Sequence, residues 1–289
     1  MTPDKSVDCV ILNWKDTPRT VRCIESLSTI SSVSRIIVVD NEADGLLAAT
    51  LEQQSFPNVE LVQHAENRGF AAGVNPGLRI ALAGTARAIL CINNDAYLKP
   101  GALDLLLAGL TAFENVGMVA PLVTDPEGRT LSTGGTFRPL TSSTTDIATG
   151  RLSYLTWACV LLDREMLLKV GELDESFFMY WEDVDFGLRM SQAGYEMRVI
   201  HDSVAVHEVS SSHERAGARI LMYSTLGLVV LARKLGGVAR IGATYRVLGR
   251  LASAVMRGDV AAGRAVVRGA RLGLRVQDPA WKFLEGQTR

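Results

Sequence analysis

The stretch Ile36-Ile37-Val38-Val39-Asp40-Asn41 decides the reading of the fold: four apolar, β-branched residues run straight into an acid and an amide. A short apolar run bounded by turn-forming residues reads as a buried strand with polar groups at its exit. Upstream, Val7–Leu12 is a second such run ending at Asn13, and Val21, Ile24 and Leu27 between them fall on one helical face. Downstream the alternation continues with a helix through Leu46–Leu51, a strand at Val59–Val62, a helix from Phe70 to about Ala83 and a strand at Ala88–Ile92. Strand and helix in strict turn predict an α/β fold built on a mostly parallel, doubly wound sheet. Ligands of such sheets sit beyond the carboxyl ends of the strands. Those ends carry Asn13, Asp40-Asn41, Asn67 and Asn93-Asn94-Asp95, so polar residues converge on one edge.

Past Pro100-Gly101 the spacing predicts a helix through Leu103–Leu110 and a strand at Met118–Val123. A Thr-, Ser-, Gly- and Pro-rich stretch from Thr124 to Gly150 reads as a hairpin and a long loop. Leu155–Leu162 reads as a strand and Arg164–Val170 as a short helix; a helix then runs to about Ala193-Gly194, followed by a short strand at Met197–Ile200 and a segment through Val204, Val206 and His207.

With 289 residues, 47% hydrophobic content and a formal net charge of -1, the chain has the makings of a large globular core and none of the basic excess of a nucleic-acid binder. Cys9, Cys23, Cys91 and Cys159 stand singly in apolar segments without C-x-x-C spacing, which argues against zinc or disulfides and for a reduced, cytoplasmic setting. No window approaches the ~18 apolar residues of a membrane span. Charge is nevertheless segregated: from Arg215 onward the acids are Asp259, Asp278 and Glu285, against many arginines.

Several clusters could carry chemistry. Asp95, closing an apolar strand, can hold a hard divalent ion by one oxygen while a ligand's phosphates complete the shell, with an Asx turn as the structural alternative; Asp40, at the neighbouring strand exit, can accept hydrogen bonds from a ribose or a base, with the same turn as its alternative. The segment from Asn67-Arg68-Gly69 to Gly77 has glycines where backbone approaches something closely, with Arg68 free to meet a base or a phosphate. Phe177-Phe178-Met179-Tyr180-Trp181-Glu182-Asp183-Val184-Asp185 puts three carboxylates behind an aromatic run, which suits the first turn of a helix. Crowding them raises the pKa of at least one.

Taken in order, Val10-Ile11-Leu12-Asn13-Trp14, Val38-Val39-Asp40-Asn41, Asn67–Asn75, Asn93-Asn94-Asp95, Val170–Asp185 and Ala205-Val206-His207 resemble the family 2 inverting glycosyltransferases of the GT-A fold, in particular their rhamnosyltransferase-like branch. The resemblance spans roughly residues 7–213. It implies that Asn13, Asp40, Asn41, Asn67, Arg68, Gly69 and Asn94 bind the nucleotide sugar. Asp95 and His207 would hold Mg²⁺ or Mn²⁺ on its diphosphate. Asp183 matches the base that deprotonates the acceptor, with Glu182 and Asp185 supporting it, and Trp157 and Trp181 are candidate acceptor platforms, although a large aromatic in apolar context is also core. The expected activity is transfer from a nucleotide-diphosphate sugar, dTDP-L-rhamnose first, to a glycan, a lipid-linked or a natural-product acceptor. The alternatives are a UDP-hexose or UDP-N-acetylhexosamine transferase and a non-catalytic sugar-nucleotide binder. The chain departs from the pattern at Asn93, which replaces the first acid of the metal motif, and at Trp157-Ala158-Cys159.

The expected organisation is a catalytic domain over residues 1–215, its nucleotide-sugar half reaching about residue 100, and a basic helical extension over 216–289. In the extension Arg246, Arg250, Arg257, Arg264, Arg268, Arg271 and Arg275 recur at helical spacing. A homodimer contact, peripheral contact with anionic lipid and a solvated face are its three readings.

Overall fold

Four parallel strands, β1 (Val7–Asn13), β2 (Val33–Asn41), β3 (Val59–His64) and β4 (Ala88–Asn93), form the first half of the sheet in the order β3-β2-β1-β4. The computed structural model describes residues 7–148, 150–208 and 212–276, so the end of the basic extension lies outside it. Helices α1 (Thr17–Ser28), α2 (Leu46–Gln54) and α3 (Gly69–Ala83) make the crossovers. Side chains alternate across the sheet, as strand geometry requires. Cys9, Ile11, Ile36 and Val38 pack beneath α1, while Val10 and Ile37 pack against Val74 and Leu78 of α3 on the other face. Both faces being covered, the strands read as continuous apolar runs.

The second half continues the sheet. Next to β4 lies β10 (Cys159–Asp163), antiparallel, and then β6 (Val116–Thr124) and β11 (Glu196–His207), which are parallel to each other. Between β4 and β6 run the short strand β5 (Ala96–Leu98) and α4 (Ala102–Thr111); α5 (Arg164–Val170) and α6 (Glu182–Gln192) lie between β10 and β11.

The structure departs from the sequence expectation in three places. The strand expected over Leu155–Leu162 starts at Cys159, because Tyr154 leaves the sheet to bridge Gly135. The two pieces expected around Met197 and Val206 are one strand, β11, whose register slips between Ile200 and Val204. The stretch after Thr124 holds three short strands, β7 (Thr130–Ser132) on β6 and the hairpin of β8 (Thr136–Arg138) with β9 (Ser143–Thr145).

Helices α7 (Ser212–Leu235), α8 (Gly237–Met256) and α9 (Val260–Arg275) complete the described chain. None of its helices is long and apolar enough to cross a membrane. Leu226, Leu228, Val230 and Leu231 of α7 share a core with Phe177, Trp181 and Val184, so this helix is packed on the segment that precedes α6. A buried charge cluster ties the same elements. Asp185 on α6 accepts from Arg189 Nε at 2.9 Å and Lys234 Nζ at 2.6 Å, and Lys234 reaches Asp174 at 2.5 Å. Arg189 also donates to the carbonyls of Val170 and Glu172. Asp185 and Lys234 are 0% and 1% exposed, so each charge depends on its partner. Removing one partner of such a pair costs about 3–5 kcal/mol. Lys234→Met is therefore expected to lower the unfolding free energy in urea by about that amount; a loss below about 1 kcal/mol, the level of a surface pair, would contradict the assignment.

Candidate active site

The strand exits form a connected polar network. Asn13 Nδ2 donates to Asp40 Oδ1 at 2.7 Å, and Asn13 Oδ1 accepts from Thr20 Oγ1 at 2.8 Å. Asn94 Nδ2 joins it through Thr20 Oγ1 at 3.0 Å. Asp40 Oδ2 is buried with no protein partner among the described residues. Burial pushes the Asp40 pKa up, against the hydrogen bond from Asn13 that favours the ionised form. A buried carboxylate oxygen without a donor is costly, and such a group calls for a ligand or water.

Asn41 is spent on the neighbouring loop. Its Nδ2 donates to Asn67 Oδ1 at 3.1 Å and to the Gly69 carbonyl at 2.9 Å, and its Oδ1 accepts the Arg68 N–H at 2.9 Å. The Arg68 side chain is left exposed. Gly69 has φ +82°, and a Cβ there would lie 2.2 Å from the Phe178 carbonyl oxygen. The Phe70 N–H donates to that oxygen at 2.6 Å. The glycine is thus required both by its left-handed backbone and by the closeness of the Phe177–Asp185 stretch.

Asp95 and His207 are brought together by β5, which pairs antiparallel with the end of β11 so that His207 faces Ala96. His207 Nε2 lies 3.0 Å from Asp95 Oδ1 and 3.4 Å from Asn93 Nδ2. No cluster of three or more His, Cys, Asp or Glu suited to a metal occurs among the described residues. One carboxylate and one imidazole are a donor set that fits Mg²⁺ or Mn²⁺ when phosphate oxygens and water fill the other positions.

Tyr180 and Trp181 both have left-handed backbones, φ +70° and +78°. Trp181 then caps α6, whose first turn carries Glu182, Asp183 and Asp185. Its indole is 6% exposed, sits edge-on to Phe137 and donates Nε1–H to the Ser224 carbonyl at 2.9 Å. Gly227 makes room: a Cβ there would be 2.6 Å from the Tyr180 carbonyl. Trp157 is 4% exposed, edge-on to Phe186 at 5.1 Å and Phe70 at 6.4 Å, with its Nε1 unpartnered among the described residues. Both indoles are held mostly by the core, each with one edge on the cavity.

That cavity, about 520 Å³, is lined by Asp183, Glu182, Trp157, Trp181, Asn93 and His207 among others. Burial pushes the Asp183 carboxyl up to about 7, and the negative charge of Asp146 adds to this, against the bond its Oδ1 accepts from the Val184 N–H at 2.7 Å. The helix N-terminus favours the ionised form by only ~0.3–1 kcal/mol, less than the ~1.4 kcal/mol that moves a pKa by one, so burial prevails. Glu182, 7% exposed and with Oε2 unpartnered among the described residues, is pushed well up by burial and then by the Asp183 charge. Asp185 turns away from the cavity into its ion pairs with Arg189 and Lys234.

Sequence reasoning missed three charged lining residues. Asp146 sits in what read as loop, and accepts from the Tyr154 hydroxyl at 2.7 Å. Arg246 and Arg250 reach the cavity from α8. Their i,i+4 spacing was legible, but not the direction in which the helix packs.

The model of Glycosyl transferase family 2 matches residues 9–171, more than half of the chain, and the chain belongs to that family. An N-acetylglucosaminyl-diphospho-decaprenol L-rhamnosyltransferase of Mycobacterium tuberculosis is 27% identical over 276 residues, 84% of this chain and 89% of that protein. The fold is GT-A. The mannosyltransferase PcManGT of Pyrobaculum calidifontis, solved with GDP-Man and Mn²⁺, superposes with a TM-score of 0.58 at 17% identity, covering 93% of this chain and 80% of that one. GalNAc-T7, solved with UDP, GalNAc and Mn²⁺, gives a TM-score of 0.61 at 12% identity over 78% of this chain, which spans about half (48%) of that protein.

A carboxylate raised to about 7 accepts a proton only once ionised. kcat/KM is expected to climb with pH through an acid limb near 7 and to level above it, the apparent value belonging to the coupled Glu182 and Asp183 pair. Because the Asp146 charge opposes ionisation of Asp183, Asp146→Asn should move that limb to lower pH. A limb that stays in place in this variant would remove Asp146 from the site's electrostatics.

Proposed function

We propose that the protein transfers a sugar from a nucleoside-diphosphate sugar, with dTDP-L-rhamnose the favoured donor, to an acceptor hydroxyl in one inverting displacement. The observation that carries this reading is that Asp183, a carboxylate poised near neutral pH, shares one cavity with His207, the partner of Asp95. The rhamnosyl donor is supported by the mycobacterial relative, which is named for that sugar.

In this reading Asp40 accepts hydrogen bonds from the nucleoside through its unpartnered Oδ2, within the Asn13–Thr20–Asn94 network. Asn41 holds Asn67, Arg68 and Gly69 in the shape that meets the donor. Asp95 and His207 would hold the divalent ion, which when bound would supply positive charge against the negative charge growing on the departing diphosphate. An imidazole ligand favours Mn²⁺ over the harder Mg²⁺. Asp183 takes the proton of the acceptor hydroxyl as that oxygen bonds to the anomeric carbon; the bond from this carbon to the diphosphate oxygen breaks on the opposite face, and the nucleoside diphosphate leaves with the electron pair. Glu182, neutral while Asp183 is ionised, orients the acceptor by a hydrogen bond from its carboxyl. Trp157 and Trp181 offer it apolar edges.

A positioned base contributes about 10²–10⁴-fold. Asp183→Asn is therefore expected to lower kcat by at least about 10²-fold while the thermal stabilisation given by the donor sugar with Mn²⁺ is retained; turnover near that of the parent would overturn the assignment. EDTA should abolish transfer and Mn²⁺ restore it, with His207→Ala requiring more metal for half-restoration. Full activity in chelator would exclude the metal from the reaction.

A further inference from the structure

The catalytic cavity does not end at Asp183. It shares Arg246 and Arg250 with a second groove of about 350 Å³, lined also by Leu221, Gly249, Ser253 and Arg257. Residues 246, 250 and 257 are four and seven apart, so α8 presents their three guanidinium groups on one face, along a line leading out of the cavity. No carboxylate lines this groove among the described residues.

The arginines are not spent on the protein's own acids. Arg250 donates to Thr225 Oγ1 at 2.7 Å and to Ser224 Oγ at 3.0 Å, neutral hydroxyls that fix its direction without neutralising it. Arg246 Nε is buried with no partner among the described residues. Burial and the neighbouring charge of Arg246 lower the Arg250 pKa to about 10, the mark of two cations held close without an anion. Arg257 bonds to Ser253 Oγ. A partly buried pair of unneutralised guanidiniums matches the oxygens of phosphate.

Position decides which phosphate. Asp95 and His207 lie at the sheet edge, where β5 meets β11. The arginines are tied to the stretch that carries Asp183: Arg250 is bound to Ser224, whose carbonyl holds the indole of Trp181, two residues before Asp183. An anion there adjoins the attacking hydroxyl and not the leaving group. We propose that Arg246, Arg250 and Arg257 bind the phosphate or diphosphate ester of the acceptor, which joins its sugar to a carrier. This inference rests on the glycosyltransferase reading of the site. The carrier is a lipid: Tyr245 and Met256, about a quarter-turn round α8 from the arginines, are 72% and 81% exposed and put apolar surface beside the groove.

The test uses the full-length protein and binding instead of turnover. Farnesyl diphosphate is titrated in EDTA, beside farnesol and inorganic pyrophosphate, with the parent and with Arg246→Gln/Arg257→Gln, which spares the structural bonds of Arg250. Farnesyl diphosphate is expected to bind the parent more tightly than either fragment, and the double variant more weakly by about tenfold or more, the effect of losing hydrogen bonds to a charged group. dTDP-sugar with Mn²⁺ should bind both proteins alike. Equal affinity of parent and variant for farnesyl diphosphate would overturn the proposal, as would farnesol binding as well as its diphosphate. Pyrophosphate binding as well as farnesyl diphosphate would remove the lipid carrier, and loss of dTDP-sugar binding in the variant would move the arginines to the donor. Failure of the donor to bind the parent protein would count against the glycosyltransferase reading itself.

Discussion

The site depends on a two-residue turn that the chain would not adopt unaided. Tyr180 and Trp181 lie in the left-handed region, which costs roughly 1–2 kcal/mol for each residue bearing a side chain. The turn is held from outside, by the indole's bond to the Ser224 carbonyl, by the burial of the ring against Phe137 and by the missing side chain at Gly227. Because it ends where α6 begins, it delivers Glu182 and Asp183 to the cavity while Asp185, on the same first turn, points into the core. Without the C-terminal helices to hold it, this turn would lose its main supports.

The same stretch is stitched to the first half of the sheet. Asn41 shapes the loop at Asn67–Gly69, Gly69 lets that loop touch the Phe178 carbonyl, and Phe70 bonds to it. Asn75, buried in α3, exchanges hydrogen bonds with Leu173, fastening the turn upstream. A change on either side is therefore felt at the other, which accounts for polar residues of one half being committed to the geometry of the other.

The order of the strands and the helices of the first half was legible because each apolar run ends in polar residues and each helix shows its period. The short strand at Ala96–Leu98 was not, since three residues carry no periodicity, yet it sets His207 beside Asp95. The acidic first turn after Trp181 could be read directly, as could Asp95 from its strand exit, while Asp183 and His207 became candidates through the family resemblance. What the sequence could not convey was the division of labour within Glu182-Asp183-Val184-Asp185, because it depends on which side chains meet Lys234 and Arg189 and which meet open space. The regular arginines of the C-terminal region could likewise be counted but not oriented.

The central claim is that one base, Asp183, and one displacement carry the transfer. The direct measurement is the anomeric configuration of the first-formed product, followed by proton NMR from a donor of known configuration. A single displacement gives a product of opposite anomeric configuration from the earliest time points. Retention at the anomeric carbon would contradict it, because retention requires a second displacement or a front-face path in which a base at Asp183 has no place.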